Sequence, residues 1–249
     1  MSIFKKAWEW LRSLFARKKK KEEAVELASP DYRLCYSSGV ADPVFWNVVT
    51  TKWSPWCSHS GLDPVEYVGF TRLMCVRDGG TYKTAAVKTV EAFGDGRFEC
   101  EARFKPGKGT WPAIWMSHPD SGKDYETYFE IDLSEYYEER EQTDSTYHFP
   151  KSMRKECDPV RGKSPIVRDG WNHFVCEWNK DFIRVLVNGV KALEIVNDGD
   201  PLSFPQREED RTFRIILSMQ YESKYLQAVD LDELPLWMDV RNIKIYEAV

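Results

Sequence analysis

No stretch of this 249-residue chain approaches the length of apolar run that a membrane-spanning helix needs. Cysteine is sparse and badly spaced for metal. Cys35, Cys57, Cys75, Cys100, Cys157 and Cys176 form no CxxC pair and have no accompanying pair of histidines, which argues against zinc. Their even number permits disulfides, but no spacing demands them. After residue 27 there is no long helical pattern, and nowhere is there an internal repeat, which excludes bundles and solenoids. The N-terminus is also expected to make a poor secretory signal. Glu9 and Arg12 interrupt the apolar stretch at the N-terminus, and no small-residue cleavage site follows. Finally, the body of the chain lacks positive charge. Residues 1–23 carry eight Lys/Arg against three Glu, a formal +5. An overall −5 therefore leaves −10 for the remainder. A body this acidic is not built to hold nucleic acid as its main ligand.

Apolar residues, by contrast, make up 42% of the chain and aromatics 14%, enough for a sizeable core. At the N-terminus, Phe4, Trp8, Leu11 and Phe15 fall on one helical stripe, widened by Ile3, Ala7 and Leu14. A basic amphipathic helix over residues 1–17 is expected, followed by a charged tether over 18–31. Such a helix suits an anionic membrane surface or a groove on a partner protein; packing on its own domain is the plainer alternative.

From residue 32 to 249 the chain reads as strands. In "RFECEARF", Phe98, Cys100, Ala102 and Phe104 share one face, and Arg97, Glu99, Glu101 and Arg103 the other. Cys100, and Cys176 on a later strand, therefore read as buried thiols. "FIRVLVNGVKALEI" is a hairpin with Asn188-Gly189 in a type I′ turn. "TFRIILSMQY" and "RNIKIYEAV" add two further strands. Many short amphipathic strands with frequent turn residues predict an all-β fold of two packed antiparallel sheets.

The chemistry concentrates in "YFEIDLSEYY". Glu130 and Asp132 alternate onto one face of a strand, with Ile131 and Leu133 on the other. Glu135 breaks the alternation, and one extra residue, a β-bulge, would return it to the acidic face. Acids are 40 of 249 residues, so a triplet at this spacing arises about once by chance. A solvated strand edge explains the triplet as well as catalysis does until its surroundings are read.

Those surroundings are specific. Gly96 to Glu99 read Gly-Arg-Phe-Glu, Gly107 to Gly109 form a Gly-rich turn, Trp111 to Trp115 read Trp-Pro-Ala-x-Trp, and Glu130 to Glu135 read Glu-x-Asp-x-x-Glu. This succession closely resembles the signature of the laminarinase-like glycoside hydrolases of family 16. The resemblance runs over residues 35–249 and is most convincing between 80 and 148. It implies a concanavalin-like β-jelly roll and a cleft for a β-linked polysaccharide. It also implies roles: Glu130 as nucleophile, Asp132 as helper, Glu135 as general acid/base. Geometry is compatible with these roles. Across a bulge the Cα atoms of Glu130 and Glu135 lie roughly 13 Å apart. Inward-leaning side chains can then approach the ~5–5.5 Å carboxyl separation of a retaining hydrolase. The bulged form is similar to the laminarinase, agarase and carrageenan-cleaving branches.

Trp111 and Trp115 share a strand face and are candidate stacking walls for sugar rings; two core tryptophans would show the same pattern. His148 and, more weakly, Gln220 are candidate cleft residues. Phe129 stands where many relatives have Gly, and Tyr125 or Tyr128 stands in for a missing Trp. No cofactor is required by this reading. Arg241 falls where several relatives have a calcium-binding Asp, so a structural calcium is not expected. Two functions remain open from sequence: a retaining endo-glycosidase, and a glycan-binding module of a larger assembly such as a virion. The polysaccharide would lie outside cells, reached by surface anchoring or as part of a virion.

Overall fold

A computed structural model describes residues 32–38, 44–50, 57–58, 61–121, 127–137, 141–222 and 229–249. The expected N-terminal helix, the tether and Tyr125 lie outside the described residues. The rest is the two-sheet jelly-roll sandwich anticipated above.

The first sheet runs β15(Val190–Val196), β14(Phe182–Val187), β13(Asn172–Trp178), β8(Gly96–Lys105), β17(Leu236–Ala248), β5(Phe70–Asp78), β4(Val65–Tyr67). β1(Tyr32–Ser38) also pairs with β17, and β6(Thr81–Thr84) with β5. The second runs β12(Val160–Pro165), β11(Gln142–His148), β10(Glu130–Glu135), β9(Thr110–Ser117), β16(Arg214–Glu222), β7(Ala86–Thr89), β2(Trp46–Val48), with β3(Cys57–Ser58) on β16. All strand pairings between these elements are antiparallel. The short helix α1(Pro150–Met153) links β11 to β12.

Period-two patterning assigns the faces. Phe98, Cys100 and Ala102 of β8 are fully buried, as are Ile114 and Met116 of β9, Ile131 and Leu133 of β10, and Ile215 of β16; Leu217 of β16 is nearly so. They form the core between the sheets. Cys100 and Cys176 are buried thiols as expected, and burial raises both thiol pKa values. Asn188 and Gly189 both take positive φ, 52° and 76°, which is the signature of the type I′ turn between β14 and β15. Gly96 is needed for close approach: a Cβ there would meet the Tyr246 carbonyl oxygen at 2.2 Å.

The outward face of the first sheet is charged but paired. Asp239 is fully buried. It accepts from Arg72 Nε and Nη2 at 2.6 and 2.9 Å and from Arg103 Nε at 2.9 Å, across three adjacent strands. Removing that acid leaves two guanidinium groups without their shared anion. Asp239→Asn is expected to cost about 3 kcal/mol, roughly 6–12 °C in melting temperature for a domain of this size. A thermal melt within a degree or so of the parent would show that the triad of charges contributes nothing. Arg241 is held by Glu101 at 2.8 Å and stacks over Trp171 at 4.0 Å.

Candidate active site

The site is built on β10, an interior strand, so its backbone is held from both sides. Against β9, Asp132 pairs with Trp115 but Ser134 with Ile114. Against β11, Asp132 pairs with Thr146 and Glu135 with Asp144. Each register loses one residue between Asp132 and Glu135, which is the bulge the spacing predicted. Leu133 and Ser134 both turn to the buried side, each 0% exposed. Glu135 thereby returns to the face of Glu130 and Asp132.

A bulge interrupts the ladder and would leave buried backbone groups unmet. Two hydroxyls of β11 meet them. Ser145 Oγ donates to the Leu133 carbonyl at 2.8 Å, and Thr143 Oγ1 to the Glu135 carbonyl at 3.2 Å. Ser134 Oγ lies 2.7 Å from Thr143 Oγ1 and, with the Thr143 hydrogen so used, is its donor. The irregularity is thus stapled from the core side.

On the outward side the three acids crowd together. Tyr128 OH donates to Glu130 Oε2 at 3.0 Å. Tyr137 OH donates to Glu135 Oε1 at 2.7 Å, and Thr146 Oγ1 to Glu135 Oε2 at 2.8 Å. Asp132 is 5% exposed, and its Oδ2 has no hydrogen-bond partner; His148 Nε2 stands 3.5 Å from it and 4.0 Å from Glu130 Oε1.

Burial raises the pKa of all three carboxyls. Glu130 is pushed up to about 7 by burial and then by the Glu135 charge, against the Tyr128 hydrogen bond. Glu135 is raised by burial, with Tyr137, Thr146 and Arg161 opposing and Asp144 assisting. Asp132 is raised well above the usual range by burial and by both neighbouring carboxylates. With no donor on Oδ2, an ionised Asp132 has nothing to stabilise its charge, and the three carboxyls share their protons as one coupled cluster. Burial and Arg161 lower His148 to about 4, so its imidazole is neutral near pH 7 and adds no charge to the cluster. Together these groups offer, in one buried cluster, a carboxyl that can hold a proton beside carboxyls that can release theirs.

Glu130, Asp132 and His148 also bring donor atoms within 4.8 Å of one another, close enough to hold one metal ion. A cation there would bind the carboxylate electron pairs and remove them from acid–base or nucleophilic work.

Beside Glu130 opens a cleft of about 220 Å³, walled by Trp115, Ser117, Tyr128 and Ile216. Residues 58–220 match the family model for glycosyl hydrolases family 16. This chain belongs to that family. It is 25% identical over 247 residues to a keratan-sulfate endo-1,4-beta-galactosidase of Sphingobacterium multivorum, covering 90% of this chain and 57% of that protein. It is 28% identical over 169 residues to a beta-glucanase of Rhodothermus marinus, covering 62% and 58%. The chain thus spans a little over half the length of these curated relatives. Two solved laminarinases share the fold. That of Rhodothermus marinus has a TM-score of 0.75 at 22% identity, over 89% of this chain and 100% of the other. That of a Flavobacterium species has 0.74 at 19%, over 86% and 100%.

Within this family 16 domain, Trp111, Trp115, His148 and Gln220 share a sheet face with the three acids. Trp111 and Trp115 are both half-buried on the outward side of β9, not in the core. Trp115 Nε1 donates to Ser218 Oγ at 3.1 Å, and the Trp111 ring lies 4.9 Å from that of Tyr137. His148 lines the acidic cluster. Gln220 sits opposite Trp111 in the β9–β16 register, 5% exposed. Phe129 went to the core, 2% exposed, and Tyr128 is the neighbour that reaches the site. The sequence reading missed Tyr137, Thr146, Ser218, Arg214 and Lys88. Stepping by two from His148 through "DSTYH", or from Gln220 through "RIILSMQ", would have found Thr146, Ser218 and Arg214.

Proposed function

We propose that the chain is a retaining endo-glycosidase of a β-linked polysaccharide. The observation that carries the proposal is the arrangement of Glu130, Asp132 and Glu135 on one face of a stapled bulge in a family 16 domain. In the first step Glu130 attacks the anomeric carbon and Glu135 gives its proton to the departing glycosidic oxygen. In the second, Glu135 takes a proton from water, whose oxygen displaces the Glu130 ester. Asp132, holding its proton between them, keeps a second negative charge off the cluster while Glu130 is ionised and Glu135 is still the acid. Trp111, Trp115, His148 and Gln220 are assigned to sugar contact, and Tyr125, outside the described residues, is proposed for the same role from sequence alone. The mechanism calls on carboxyls alone, with no cofactor. The curated relatives include one protein named for a β-galactosidase activity and one for a β-glucanase, so both backbones belong in a test.

The intact acid trio favours turnover over a lectin-like role, since binding alone gains nothing from three crowded carboxyls. A reducing-end assay over β-glucans and β-galactans, with proton NMR of the first product formed, tests the proposal. New reducing ends of retained anomeric configuration are expected. Release of the inverted anomer would rule out the two-step route.

The pH dependence follows from Glu130. A nucleophile must be ionised, and this carboxyl is raised to about 7. Below that pH its ionised fraction falls tenfold per unit, so kcat/KM is expected to decline along an acid limb centred near 7. An acid limb near the ordinary glutamate value of ~4.3 would contradict the burial argument. The basic segment before the domain is proposed as an attachment to an anionic membrane surface or a partner protein. Co-sedimentation with anionic vesicles, with and without residues 1–27, tests the first of these.

A further inference from the structure

The cleft beside Glu130 has a cationic far end. Lys88 of β7 and Arg214 of β16 both line it, and Glu130 is the acid among its described lining residues. Register fixes their relation. Lys88 pairs with Ile216, and Arg214 lies two residues before Ile216 on the same face, so the two cations are diagonal neighbours, roughly 7–8 Å apart at Cα. Arg214 pairs with Ser117, which pairs in turn with Glu130. Arg214 therefore stands two strand spacings, roughly 10 Å, from the nucleophile position. Lys88, through Ile216 and Trp115, shares the row of Asp132, so both cations lie across the sheet from the acids rather than further along β10.

These two residues are unlike the paired arginines of the fold. Arg72 and Arg103 pair with Asp239, Arg97 with Glu99 and Glu177, Arg184 with Glu194, Arg211 with Asp95, and Arg241 with Glu101. Among the described residues neither Lys88 nor Arg214 has an ion pair, and Arg214 Nε is buried without a hydrogen-bond partner. A buried donor left unmet is costly, and two like charges side by side repel. An arriving oxyanion would remove both penalties. The guanidinium fork matches its two oxygens, and the ammonium adds a point charge.

We propose that the cationic end of the cleft takes a sugar carrying an anionic substituent, a sulfate ester or a carboxylate, on Arg214 and Lys88. This rests on reading the cleft as that of a glycosidase. It narrows the substrate to an acidic glycan. The pair also offsets locally the repulsion that an acidic body and three crowded carboxyls would exert on such a chain.

The test is an NMR titration of the intact chain, following the backbone amide signals of β7 and β16 and, where Arg214 is present, its Nε–H signal. The probes are a galactose sulfate ester, glucuronate, and neutral galactose and glucose, at constant ionic strength. At least one charged sugar is expected to bind about tenfold or more tightly than its neutral counterpart, and the two charged arms separate sulfate from carboxylate. Arg214→Gln and Lys88→Gln, each confirmed folded by its melt, should each abolish most of that preference. Arg214→Lys, which keeps the charge without the fork, should retain part of it. Equal binding of neutral and charged sugars, no saturable binding of any, or a preference that survives both Gln variants would overturn the proposal. Charge-selective binding with no polysaccharide cleaved would leave this subsite standing and sink the hydrolase reading. Cleavage of neutral polymers without charge selectivity would do the reverse.

Discussion

Glu130→Gln is expected to leave a folded protein that hydrolyses its polysaccharide at least about 10⁴-fold more slowly, on the scale of losing a covalent nucleophile. The amide is nearly isosteric and can still accept from Tyr128 OH, so the site should keep its shape. It cannot form the glycosyl ester. The same substitution makes a stability prediction of definite sign. Glu130 has a folded-state pKa raised to about 7, so the folded protein holds this proton more tightly than the unfolded chain does. That contribution is complete below the unfolded value, near ~4.3, and is lost as pH rises through 7. Glutamine does not titrate and escapes the loss. The variant should therefore melt close to the parent near pH 4 and above it near pH 8. The difference is bounded at roughly 3–4 kcal/mol, or several degrees. Substantial turnover by the variant would remove Glu130 from the nucleophile role. A melt difference that does not grow with pH would show that its carboxyl is not held in the protonated form.

Deleting Ser134 is expected to reduce hydrolysis at least a hundredfold, because catalytic groups displaced by about 1 Å lose that much. Without the extra residue, β10 would run as a simple alternation of acids, and one of two things must give. Either Glu135 leaves Tyr137 and Thr146, or the strand after the deletion shifts against β9 and β11. The core side suffers too. Thr143 loses its buried partner, and the carbonyls of Leu133 and Glu135 move away from Ser145 and Thr143. A lowered melting temperature is therefore expected with the lost activity. Ser134→Ala separates the two effects. It removes one buried hydroxyl but keeps the register, so it should lose about 1 kcal/mol of stability and far less activity than the deletion. Near-native kcat/KM in the deletion variant would mean that the position of Glu135 does not depend on the bulge.

The alternation of "RFECEARF" determined by itself which side of β8 is core. A β-strand has only two faces, and Phe98 and Cys100 leave no choice between them. The Asn-Gly pair likewise determined its turn, since few residues accept two consecutive positive φ angles. The broken spacing of Glu130, Asp132 and Glu135 said what a shared face would require, one extra residue in the strand, and the register shifts of β10 show that it is there. The alternation, the turn pair and the spacing are local information, carried within a few residues of chain. What only the tertiary structure decided is what stands next to what across strands. Thr143 and Ser145 became staples of the bulge because β11 lies beside β10, a pairing that no residue in the charged segment after Glu135 announces. Whether Trp111 and Trp115 were core or cleft depended on which sheet face the second sheet covers. Lys88 and Arg214 are 126 residues apart, and they became neighbours because β7 pairs with β16. Register between distant strands is settled by the packing of the whole core, so the charge pattern of the cleft could be read only once the sheets had closed.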